Sequence, residues 1–86
     1  MRRRNVEFSD AFAQVLKRHR EEKKLSKQTL AQKAGLHQTY IGKIEDGLSN
    51  PSLDAANAMA EALEVPFATL IAEAEAARRC SKSVVR

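Results

Sequence analysis

A single glycine dictates most of what residues 27–46 can become. Gly35 sits between two short stretches of helical periodicity, and glycine enters the left-handed backbone region that ends a helix without steric cost. Before it, Ser26 is placed to cap a helix over Lys27–Ala34, with Leu30, Ala31 and Ala34 on one side. After it, a second helix is expected over Gln38–Asp46, with Tyr40, Ile41 and Ile44 apolar and Gly47 as its stop. Two short helices joined this tightly must cross steeply, so a small residue is needed where they touch, and Ala31 supplies it. Leu30, Ala34, Leu36, Ile41 and Ile44 then anchor the second helix by its inner side and leave its outer side free.

That spacing is the pattern of a helix-turn-helix unit. The rest of the chain also reads as helix. A first helix is expected from Ser9 or Asp10, either of which can cap it, to Lys24, with Phe8, Phe12, Val15, Leu16 and His19 as its inner stripe. Leu25 should pack beneath it. Ser52 caps a fourth helix to Glu64, with Leu53, Ala56, Met59, Ala60 and Leu63 inward. Pro66 opens a fifth, which includes Phe67, Leu70, Ile71 and Ala74 and reaches Arg79 with help from a Glu75–Arg79 pair one turn apart. No stretch alternates apolar and polar residues for long. The expectation is an all-α fold, a compact bundle of four to five short helices. Residues 1–8 form a basic leader, 9–75 the domain with its helix-turn-helix at 27–46, and 76–86 a basic tail, disordered from Ser81.

At 86 residues the chain is one domain's worth. Its net charge of +4 is unevenly spread. Residues 1–50 hold eleven Lys/Arg against six Asp/Glu, residues 51–75 hold five acids and no Lys or Arg, and residues 76–86 carry +4. A basic first half attracts a polyanion and an acidic second half turns away from it. One cysteine, Cys80, allows no internal disulfide, which fits a reducing, cytoplasmic compartment. Apolar runs are too short for a membrane span. His19, His37 and Cys80 make no metal cage, and there is no glycine-rich phosphate loop or acid pair, so neither a metal, a cofactor nor an enzymatic activity is expected.

The run Ser26-Lys27-Gln28-Thr29-Leu30-Ala31, then Gly35-Leu36-His37-Gln38-Thr39-Tyr40-Ile41, then Ile44-Glu45 and Gly47, resembles the Cro/cI-type (XRE-like) phage-repressor helix-turn-helix family. Asn50-Pro51-Ser52-Leu53 with Ala60, Ala62, Leu63 and Val65 continues the resemblance, which covers about residues 12–71. It implies a lambda-repressor-like DNA-binding domain whose third helix enters the major groove of double-stranded DNA. His37, Gln38, Thr39 and Lys43 would then project toward base edges, Lys43 equally toward a phosphate. Gln suits adenine, the Thr methyl suits thymine and Lys suits guanine. Lys27, Gln28, Ser49 and Asn50 would meet phosphates, with the backbone amides of Leu48, Ser49 and Asn50 contributing. Arg20 and Glu45 match a buried ion pair that ties the first helix to the third.

The resemblance further implies a homodimer through the fifth helix, at Phe67, Leu70 and Ile71, reading a palindromic operator as a repressor or autoregulating controller. No membrane or small-molecule partner is implied. Three positions depart from the family pattern. His37 stands where Ser or Thr usually caps, Thr29 where an acid completes a capping box, and Ala55 and Ala56 where bulky aliphatics are common. Asp46 is an awkward residue beside phosphates and is left out of the binding set. Tyr40 reads as an anchor before a base contact, Arg2, Arg3 and Arg4 as a basic leader before a groove-reaching arm, and His19 as a packed histidine. A reading of another class is a protein-interaction module, such as an antitoxin or accessory subunit, with secondary DNA binding.

Overall fold

The computed structural model describes residues 7–85, and the side chains of residues 8–79. Five helices follow one another: α1 (Glu7–Glu22), α2 (Lys27–Ala34), α3 (Gln38–Glu45), α4 (Leu53–Leu63) and α5 (Phe67–Val85). Among the described residues there is no strand. None of the helices is long and apolar enough to cross a membrane.

Two apolar clusters share α1 and α4. In one, Ala13 and Leu16 of α1 meet Leu30 and Ala31 of α2, Ile41 and Ile44 of α3, and Met59 and Leu63 of α4. In the other, Ala11, Phe12 and Val15 of α1 meet Ala56 and Ala60 of α4 and Leu70 and Ala74 of α5. The small residues of α4 have a purpose here. Ala55 and Ala56 are both buried. They let α4 approach its neighbours closely where a bulky aliphatic would hold it away, and Met59, fully buried, fills the space alongside.

One turn design recurs at four helix ends. Lys24, Gly35, Gly47 and Glu64 all take the left-handed conformation. The amide of the next residue, Leu25, Leu36, Leu48 or Val65, then reaches back five residues to a helix carbonyl at 2.8–3.1 Å. This is the Schellman motif, which satisfies otherwise orphaned carbonyls and usually tucks in the apolar residue that follows. Leu25, Leu36 and Val65 do pack against the core. Leu48 does not; it is 75% exposed.

Several boundaries differ from the sequence reading. Helix α1 begins at Glu7, so Ser9 and Asp10 lie within it and neither is its cap. The physical reason is Phe8, which packs one turn before Phe12 and rewards the extra turn with burial against α5. Helix α5 continues to Val85, past the expected end at Arg79 and through the segment expected to be disordered. Leu53, expected inward, is 77% exposed, because the buried row of α4 starts at Ala55 and Ala56. Leu70, which the resemblance implies at a dimer surface, is fully buried in the chain's own core, where it packs with residues of α1 and α4. Residues 1–6 of the expected leader, Arg2, Arg3 and Arg4 among them, lie outside the described residues, as does the side chain of Cys80.

Candidate nucleic-acid interface

The outer side of α3 is built by the way its inner side is held. Gly35 (φ 73°) reverses the chain, and its amide bonds back to Ala31 and Gln32. Ile41 and Ile44 are inserted into the core at 0% and 1% exposure, and Tyr40 packs against it. The Tyr40 hydroxyl accepts the amide of Ser52 at 3.3 Å, so this residue ties α3 to the start of α4. Its anchoring role follows from those contacts.

The deepest tie is ionic. Arg20 donates through Nε to Oε2 of Glu45 at 2.7 Å and through Nη2 to Oε1 at 3.0 Å. Its remaining Nη1 donates to the carbonyl of Leu25 at 2.8 Å. The side chains are 9% and 2% exposed. The hydrogen bond to Glu45 raises the Arg20 pKa above its ordinary value, against the opposing effect of burial. A two-pronged guanidinium–carboxylate contact fixes angle as well as distance, so α3 is held in one rotation about its axis relative to α1.

With Ile41, Ile44 and Glu45 committed inward, His37, Gln38, Thr39 and Lys43 are all exposed. Thr39 and Lys43 lie one turn apart on the same row, and Gln38 shares its row with half-exposed Gly42. His37 occupies the N-cap position without a side-chain hydrogen bond to the helix. Ser26, by contrast, accepts from the Thr29 amide at 3.0 Å and donates to the Thr29 hydroxyl, also at 3.0 Å. Thr29 therefore closes a compact substitute for the usual capping box.

The flanking candidates are more varied. Lys27 is half-buried at the start of α2, and Gln28 beside it is exposed. Ser49 is half-buried and Asn50 exposed in the segment leading to Pro51. The amide of Leu48 is not free for a phosphate, because it donates to the carbonyl of Lys43 at 2.8 Å. Helix α3 thus presents a polar, uncharged-to-cationic row suited to hydrogen-bonding base edges, with further donors on the elements before and after it. Sequence reasoning missed the Tyr40–Ser52 link and the clasp of Arg18 and His19 on Glu73; both depend on partners brought together only by the fold.

Comparison with known proteins bears on the family and the fold. The helix-turn-helix family model matches residues 16–70, more than half of the chain. The immunity repressor protein of Bacillus phage phi105 is 38% identical over 60 residues, 70% of this chain. The chain spans 42% of that repressor's length. Among solved structures, the restriction-modification controller protein C.AhdI from Aeromonas hydrophila is 37% identical and superposes with a TM-score of 0.70, over 72% of this chain and 94% of that one. The clp gene regulator ClgR from Corynebacterium glutamicum shares the fold, with a TM-score of 0.83 at 20% identity over 88% of this chain and 81% of its own. On its motif, its buried core and these similarities, the chain belongs to the helix-turn-helix family of Cro/cI type.

Proposed function

We propose that this regulator binds a palindromic double-stranded DNA operator as a homodimer, with the exposed row of α3 in the major groove of each half-site. The observation that carries the reading is the contrast within α3. Ile41, Ile44 and Glu45 are locked inward while Gln38, Thr39 and Lys43 are exposed. Gln38 reads adenine, Thr39 meets a thymine methyl, and Lys43 meets guanine or a phosphate, with His37 at the helix start beside them. Lys27, Gln28, Ser49 and Asn50 hold the sugar-phosphate backbone on either side. Phe67 and Ile71, half-buried on α5, belong to the dimer surface. Two α3 helices about 34 Å apart then read half-sites one helical turn apart. The relatives include a phage immunity repressor and a restriction-modification controller, which supports a repressor or autoregulating controller.

The test is a selection of bound sequences from random duplexes, followed by affinity measurements on the selected site and on unrelated DNA. Gln38→Ala should weaken the selected site by about 1–3 kcal/mol while leaving unrelated DNA nearly unchanged. Equal losses on all sequences would show that Gln38 reads no base.

A further inference from the structure

We infer that Gly42 is a specificity-determining residue of α3, its missing side chain leaving a notch through which a base edge in the major groove reaches the helix backbone. The inference rests on the DNA-reading role of α3 proposed above and adds a residue to it. The chain has three glycines. Gly35 (φ 73°) and Gly47 (φ 78°) are accounted for by the left-handed backbone that each adopts. Gly42 has no such reason. It lies inside the regular helix α3, and its carbonyl accepts the Asp46 amide at 3.0 Å. A β-carbon at Gly42 would meet no other part of the fold within 4 Å. Neither backbone conformation nor packing asks for glycine here, and glycine is, after proline, the poorest helix former. That cost falls on a helix of only eight residues.

The position of the gap says what it is for. Gln38 and Asp46, both exposed, stand one turn before and one turn after Gly42 on the same row, and exposed Thr39 and Lys43 border it. At a rise of about 1.5 Å per residue, the two side chains of that row are separated by about 12 Å along the axis. A stacked base pair occupies about 3.4 Å. Gly42 itself is half-exposed, so the notch opens to solvent. The Asp46 carboxylate at its border repels a phosphate, whereas a base edge brings no net charge. Glycine is the residue that permits close approach of a backbone to what it binds. A methyl group at this point would fill the notch and hold the base edge away from the helix, and with it the neighbouring contacts of Gln38 and Thr39.

Gly42→Ala and Gly42→Leu test this in the full chain, each read by thermal unfolding and by affinity for the duplex that the parent chain selects. Both replacements are better helix formers, so Tm should rise, by about 2–8 °C for Ala. Affinity should move the other way, falling about tenfold for Ala, the scale of an overpacked contact, and further for Leu. A Tm for Gly42→Ala at or below the parent's would show that the fold itself needs the glycine. An affinity within about twofold of the parent's would show that nothing approaches it. Equal losses for Ala and Leu would point to helix flexibility in place of space. Each of these three results overturns the inference, while a loss at Gln38→Ala leaves base reading by α3 standing. A parent chain that selects no sequence overturns both.

Discussion

Arg20 and Glu45 are both buried at their side chains, and that burial decides how either can be changed. Truncating one side of a buried, fully bonded pair leaves the other charge without a partner, at a cost of about 3–5 kcal/mol. Against a total stability of about 5–15 kcal/mol, that is enough to unfold much of the population at the low end. Arg20→Ala should therefore lower the urea midpoint sharply, and joint replacement by Arg20→Met and Glu45→Leu should recover most of the loss. A single-variant loss under about 1 kcal/mol would show that the pair holds nothing. A second residue-scale expectation concerns backbone strain. Glu64 ends α4 with φ 61°, a conformation that costs a residue with a β-carbon about 1–2 kcal/mol. Glu64→Gly should gain about 0.5–1 kcal/mol after glycine's greater freedom in the unfolded chain is counted. Thermal unfolding should register this as a rise of a few degrees.

Helices α1 and α5 are joined by polar contacts as well as by their apolar faces. Nε2 of His19 lies 2.6 Å from Oε1 of Glu73, and Nη2 of Arg18 donates to the same oxygen at 2.7 Å. The hydrogen bond with His19 is the main reason the Glu73 carboxyl is held below its ordinary value of 4.5; partial burial opposes it, and the charges of His19 and Arg18 assist. A carboxyl with a lowered folded pKa contributes stability that is complete above its unfolded value and is lost as pH falls through the folded value. Glu73→Gln should thus cost about 0.2–1 kcal/mol at neutral pH, as expected of a partly exposed pair, and should flatten the decline of stability below pH 4.5. Chemical denaturation at a series of pH values reads both effects. An acid limb of unchanged slope would assign the acid sensitivity to other carboxylates.

At the scale of the whole chain, charge is unevenly divided along the sequence. The segment through α3 carries the basic excess, whereas residues 51–75, which form α4 and the first half of α5, carry only acids. A polyanion is attracted by the basic segment and repelled by the acidic one. Binding should fall steeply with salt, because each neutralised phosphate contributes about −0.9 to the slope of log Kobs against log salt concentration. Lys27→Ala should weaken all sequences alike and reduce that slope by about 2, one contact for each protomer of a two-fold complex. A slope unchanged by Lys27→Ala would remove Lys27 from the phosphate set.

The pairing of Arg20 with Glu45 came from the resemblance to the family, whereas the order and kind of the helices, the turns at Gly35 and Gly47 and the caps at Ser26 and Ser52 were readable from the chain. They rest on local preferences and on spacing within a motif, which neighbouring residues settle among themselves. Burial was not readable in the same way where a helix has apolar residues on more than one side. Leu70 and Leu53 both look like core or interface by periodicity, yet one is fully enclosed and the other projects into solvent. Periodicity gives the angle between side chains about a helix axis, whereas the rotation of that helix against its neighbours is set by packing. The clasp on Glu73, 54 residues away from His19, arises from that packing, and so only the assembled tertiary structure decided it.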